Sequence, residues 1–143
     1  MRRLRHDIAR ETIRGDATVV CLTTHEEATM AEDHVLTEEE LKAELAKLPE
    51  WEVRDGWLRR TYKTPGWPHT LLLANTIAYL AEAAYHHPDL SLGYAQVTVK
   101  IQTHRVKAIT YSDTELAHKI NEVALWKPTP GAALTGFPKN WVR

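Results

Sequence analysis

The sequence predicts an α+β fold: a four-stranded antiparallel sheet with three helices on one face, in the order α-β-β-α-β-β-α. Three observations carry this. Apolar residues recur at helical spacing in three separate stretches: Leu41, Leu45 and Leu48; Leu73, Ile77 and Leu80; and Leu116, Ile120 and Val123. Between the helical stretches lie strand-like runs, clearest where Val97, Val99 and Ile101 alternate with Thr98, Lys100 and Gln102. Asp55-Gly56 joins two more such runs, a strong short hairpin signal. Strands with one polar face, combined with amphipathic helices, leave a single apolar sheet face for the helices to cover.

Each element follows from local chemistry. Thr37 and Glu40 have capping-box spacing, with Thr37 as N-cap, and Pro49 stops the helix that they open. The runs WEVR and WLRRTYK form the hairpin, which ends at Thr64-Pro65-Gly66. Trp67 to Tyr85 is the longest helix, carrying Leu73, Ile77, Leu80, Ala81 and Ala84 on one stripe until Pro88 forces an end. A short strand around 90–94 and a longer one around 96–104 make the second antiparallel pair. Ser112 and Glu115 are spaced as a capping box for the last helix. After Trp126, the segment KPTPGAALTGFPKNWVR is rich in Pro and Gly and is expected to be extended.

Three segments are expected: an N-terminal extension over 1–35, a working domain over 36–126 and a C-terminal tail over 127–143. The first segment reads poorly. Residues 17–24 (ATVVCLTT) have strand composition. The Arg-rich start suits a transit peptide, but its acidic residues do not. Met30 opens MAEDHVLTEEEL, which reads as an ordinary protein start.

With 18 Lys+Arg against 19 Asp+Glu in 143 residues, the chain lacks the basic footprint of a nucleic-acid binder. A single cysteine, Cys21, excludes an internal disulfide framework and any Cys-rich zinc site. No apolar run reaches the roughly 18 residues of a membrane span. The expectation is a cytoplasmic protein with no membrane partner and no direct contact with nucleic acid.

Eight histidines stand out. His25, His34, His69 and His118, taken singly, read as surface or structural residues. Glu82, His86, His87 and His104 are the informative set. Glu82 and His86 stand four apart on the helix side away from the apolar stripe, so Glu82 is placed to accept a hydrogen bond from His86. His86 and His87 sit where the helix must end, and His104 closes the polar-facing series of the long strand. Asp113, at the start of the last helix, is placed either to orient an imidazole or to cap. Zinc bound by three histidines and a carboxylate is a competing reading. It is disfavoured because adjacent histidines diverge and no His-x-x-x-His pair supports them. Trp51, Trp57 and Trp67 read as core or interface.

Glu82-x3-His86-His87-Pro88, then Tyr94, His104 and Asp113 after five, nine and eight intervening residues, resembles the signature of the pterin-4a-carbinolamine dehydratase family. The resemblance runs from about Leu36 to about Trp126, and every motif position holds a family-type residue. It implies removal of water from a 4a-hydroxytetrahydropterin, giving a quinonoid dihydropterin in tetrahydropterin recycling, with no metal and no cofactor. His86, His87 and His104 would form the active-site trio, with Glu82 supporting His86 and Asp113 completing the site. Independently, imidazoles can both donate and accept protons near neutral pH, as such a dehydration requires. His86 and His104 are expected as the acid and base, and His87 is expected to hold the pterin. The resemblance also implies a homodimer or homotetramer. The alternative is a protein-binding module, since relatives of this fold serve as a dimerisation cofactor or an assembly factor.

Overall fold

The computed structural model describes residues 34–143. The strand composition at 17–24 and the start at Met30 lie outside them. The described elements are α1 (Glu38–Leu45), β1 (Glu52–Arg54), β2 (Trp57–Lys63), α2 (Trp67–Ala84), β3 (Asp89–Gly93), β4 (Gln96–Ile101) and α3 (Tyr111–Ala124). The order is the one expected, and the sheet is wholly antiparallel with strand order β1-β2-β4-β3. Three helices flank it.

Strand alternation divides the sheet. Leu58, Arg60 and Tyr62 of β2 and Val97, Val99 and Ile101 of β4 are buried on the helix side. Trp57, Arg59, Thr61, Thr98 and Lys100 belong to the opposite face, where Thr61 and Thr98 share a hydroxyl hydrogen bond of 2.9 Å. Leu73, Ile77 and Ala81 of α2 and Leu116, Ala117, Ile120 and Ala124 of α3 complete the core. Each fully buried Leu, Ile or Val stabilises the fold by about 1.5–3 kcal/mol relative to exposure.

The exception on the apolar face is Arg60, 4% exposed. Its guanidinium donates to the Pro49 carbonyl, to Glu50 and to Asn121, each at 2.9 Å, and lies 4.4 Å over the Tyr62 ring. The Trp51 indole and the Tyr62 hydroxyl donate to the same Asn121 oxygen, at 3.1 and 2.5 Å. Burial pushes the Tyr62 hydroxyl well above the ordinary phenol range, so it remains a donor. One amide oxygen on α3 thus gathers donors from a loop and from β2.

Three boundaries differ from expectation. The first helix stops at Leu45 rather than running to Pro49, because Lys47 and Leu48 make tighter i→i−3 bonds (3.0 Å each) that turn Leu48 into the core at 1% exposure. β4 ends at Ile101 instead of 104. Beyond it Thr103 bridges Ala108, and residues 104–107 turn, with Lys107 at φ 52°. The capping box of α3 is Thr110 with Asp113, not Ser112 with Glu115.

The tail contains neither helix nor strand, yet its end is fixed. Lys63 and Arg143 exchange backbone hydrogen bonds of 2.6 and 3.1 Å, and Val142 is 3% exposed in the core. No helix among the described residues is long and apolar enough to cross a membrane.

Candidate active site

The site begins at the end of α2. Tyr85 adopts the left-handed conformation (φ 51°, ψ 37°), and its N–H reaches Glu82 O while the His86 N–H reaches Ala81 O. These bonds satisfy the last helical carbonyls and reverse the chain. Glycine is the usual residue there, and a side chain in this region costs on the order of 1 kcal/mol or more. The reversal sends His86 inward and leaves His87 outside, with 19% and 55% of their side chains exposed.

This geometry changes the expected pairing. Glu82 was expected to support His86 by i,i+4 spacing, but the helix ends before His86. Instead His86 Nε2 lies 2.7 Å from Asp113 Oδ1, and His87 Nε2 lies 2.9 Å from Glu82 Oε2. Tyr85 presents its ring edge-on to His87 at 5.7 Å.

Asp113 is the centre of the assembly. It is fully buried at the third residue of α3, where its Oδ2 accepts the Thr110 N–H at 2.7 Å as half of the capping box. The same oxygen accepts from the Thr103 hydroxyl at 2.9 Å, and the Thr103 and Thr110 hydroxyls meet at 2.8 Å. One carboxylate therefore ties together the end of α2, the start of α3 and the 102–108 turn. Because Asp113 is an acceptor, it holds the His86 proton on Nε2 and leaves Nδ1 as the lone-pair nitrogen of the neutral ring.

His104 follows Thr103 but points elsewhere. Its ring meets Trp57 edge-on at 5.6 Å on the open face of the sheet, where the Lys100 ammonium lies 5.3 Å over the same indole. A hollow of about 790 Å³ opens between the end of α2 and the start of α3. His86, Thr103, Arg105, Tyr111 and Lys119 are among its walls; His87 and His104 are not. The structure thus brings His86 to Asp113 and His87 to Glu82. His104 is placed between two residues that line the hollow, on a separate partner.

Sequence reasoning missed Thr103 and the role of Trp57. The alternation that turned Val97, Val99 and Ile101 inward continues to residue 103, so parity alone pointed to Thr103 as an inward hydroxyl. Nothing local marked Trp57 as a neighbour of His104, since the contact depends on the turn after β4. Among the described residues, no three His, Cys, Asp or Glu side chains are grouped to hold a metal ion.

The family model described as pterin 4 alpha carbinolamine dehydratase matches residues 34–123. A protein of Aquifex aeolicus, provisionally named as a pterin-4-alpha-carbinolamine dehydratase, is 42% identical over 88 residues, 62% of this chain and 89% of that protein. A Mycobacterium sp. protein with the same provisional name is 37% identical over 89 residues, 62% of this chain and 95% of its own. Among solved structures, one from Brucella melitensis titled transcriptional coactivator/pterin dehydratase superposes with a TM-score of 0.61 at 29% identity, covering 64% of this chain and 99% of that one. The matched span runs from before α1 to the last turn of α3 and holds all five residues of the candidate site, and the chain belongs to the pterin-4a-carbinolamine dehydratase family.

Proposed function

We propose that this protein is a 4a-hydroxytetrahydropterin dehydratase, a hydro-lyase that works by histidine acid–base catalysis in tetrahydropterin recycling. Family membership supports a pterin-type substrate and dehydratase chemistry in general. The observation that carries the finer reading is the 2.7 Å pairing of buried Asp113 with His86, whose imidazole lines a ligand-sized hollow.

The reaction breaks the C4a–O bond and removes the N5 proton. A base must take that proton, and an acid must protonate the departing hydroxyl so that it leaves as water. His86 suits the base, because Asp113 holds its Nε2–H, leaves Nδ1 free to accept and stabilises the imidazolium that forms. His104 is assigned the acid role and His87, steadied by Glu82, the holding of the pterin; His104 packs on Trp57 and neither ring lines the hollow beside His86, so both roles require these rings to turn toward it. Proton transfer completes the balance, so the mechanism calls for neither metal nor cofactor. The working form is a homodimer or homotetramer in the cytoplasm.

The test is stopped-flow dehydration of a 4a-hydroxytetrahydropterin, corrected for the spontaneous rate. His86→Ala and His104→Ala should each lower kcat by about 10²-fold or more, and full activity should survive exhaustive chelation. Wild-type kinetics in both variants would remove the mechanism. Activity lost to chelator and restored by Zn²⁺ would make the histidines ligands. A protein-binding role is the second reading, favoured by the similar Brucella melitensis protein, described as a transcriptional coactivator as well as a pterin dehydratase, and by Leu71, Leu72 and Tyr79, exposed on α2. An inactive protein that keeps its fold would favour it.

A further inference from the structure

The tail after α3 lies wholly beyond the matched span 34–123, and it is built rather than loose. Its far end is pinned by the backbone exchange between Arg143 and Lys63 and by burial of Val142. Phe137 and Trp141 pack 5.0 Å apart, and His69 in the first turn of α2 meets both rings edge-on, at 5.1 and 5.6 Å. Gly136, at φ +78°, brings the chain back against Pro128. An added Cβ would lie 3.5 Å from that proline ring.

The tail encloses a second hollow, of about 690 Å³, within the range of small-molecule sites. It sits at the opposite end of the α2–α3 pair from His86. Its walls include the rings of Trp126, Phe137 and Trp141, of which Trp126 and Phe137 remain 60% and 42% exposed. Exposed aromatic surface gathered in a concavity is costly to leave in water and is matched by a flat apolar ligand.

The charge is one-sided. Lys127, Lys139 and Arg143 border the hollow, and no Asp or Glu does. None of the three cations has an ion pair among the described residues, whereas Lys47, Lys100 and Lys119 are each paired with a carboxylate. The Nδ1 of His69 is buried without a hydrogen-bond partner beneath Phe137 and Trp141. Aromatic walls and a rim of three cationic side chains, which outnumber the single α-carboxylate on Arg143, suit a ring that carries an anion, with the Arg143 guanidinium able to grip a carboxylate by two parallel hydrogen bonds.

We propose that this tail forms a second binding site, for a small aromatic carboxylate of one or two fused rings. The inference is independent of the dehydratase reading. It is tested on the full chain by calorimetric titration with 2-naphthoate, its neutral analogue 2-naphthamide and cyclohexanecarboxylate. Nuclear magnetic resonance of the tryptophan indole N–H groups locates the ligand. 2-Naphthoate should bind at submillimolar concentration and move the Trp126 and Trp141 signals while those of Trp51 and Trp57 hold still. The other two compounds should bind at least about tenfold more weakly, and K127Q/K139Q should weaken 2-naphthoate by about tenfold without affecting 2-naphthamide. These lysines lie on the surface, so the variant tests binding rather than folding. Equal affinity for 2-naphthamide, no binding at millimolar concentration, or shifts confined to Trp51 and Trp57 would each overturn the proposal.

Discussion

His86 and His87 are neighbours in the chain, and each has a carboxylate at hydrogen-bond distance, 2.7 Å to Asp113 and 2.9 Å to Glu82. Their environments are opposite. Asp113 is fully buried and also accepts from Thr103 and Thr110, whereas 76% of the Glu82 side chain is exposed and its carboxylate meets the His87 imidazole. Similar distances therefore conceal different energetics. Around Asp113, removing the acceptor strands buried donors that water cannot reach. Around Glu82, solvent replaces whatever is removed, and an exposed pair contributes about 0–1 kcal/mol.

The largest effect should come from Asp113→Ala. It strands His86 Nε2, the Thr103 hydroxyl and the Thr110 N–H together, and should lower stability by about 3 kcal/mol or more. Equilibrium urea unfolding of Asp113→Ala and Glu82→Ala side by side measures the contrast. Equal midpoints would break the comparison. Asp113→Asn keeps an acceptor for the α3 cap, so it should recover part of the stability. It loses the charge that stabilises an imidazolium at His86, so kcat should stay low.

Thr103→Val comes next, because it removes one donor from the same buried carboxylate while keeping the side chain's shape. A stability loss of about 1–3 kcal/mol is expected, with a fall in kcat because Asp113 loses one of the bonds that hold it toward His86. Thr103→Ser keeps the hydroxyl and should restore most of the kcat. If Val and Ser variants were equally active, Thr103 would serve packing alone.

Much of the fold was legible because its signals are local. The Thr37–Glu40 box, the Asp-Gly hairpin and the alternation of β4 depend on residues close in sequence. The candidate residues could be picked out in the sequence, but the pairs they form could not. The i,i+4 argument for Glu82 and His86 assumed that the helix continues. It fails because Tyr85 takes the left-handed conformation, which nothing in a tyrosine announces. At α3 two capping patterns overlap in sequence, Thr110 with Asp113 and Ser112 with Glu115. The choice falls to the first because the Asp113 side chain is shared with His86 and Thr103, contacts 27 and 10 residues away.

On the exposed side of the comparison, effects should be small and should fall on binding. Glu82→Gln should change stability by less than about 1 kcal/mol. His87→Ala should raise KM more than it lowers kcat, the pattern of lost uniform binding. Steady-state kinetics with a 4a-hydroxytetrahydropterin separates the two parameters. A kcat loss at His87 matching that at His86 would mean that the two imidazoles share the chemistry.

A third imidazole–carboxylate pair sharpens the contrast further. His34 Nε2 lies 2.9 Å from Glu40 on the surface, at the cap of α1. The Glu40 carboxyl is held down to about 2, first by the Thr37 N–H, which it accepts at 2.8 Å, and only then by His34. Even in an exposed pair, the backbone donor outranks the imidazole. A carboxyl whose folded value is depressed adds stability above its unfolded value near 4.5, and that contribution disappears as pH falls through about 2. Glu40→Gln keeps a side-chain oxygen for the Thr37 N–H but cannot ionise. The urea midpoint of the wild type should therefore exceed that of Glu40→Gln above pH 5, and the gap should close steadily toward pH 2. His34→Ala should leave most of that gap in place, because the hydrogen bond from the Thr37 N–H is untouched. A gap that His34→Ala abolishes would make the imidazole, not the helix cap, the group that holds Glu40 ionised.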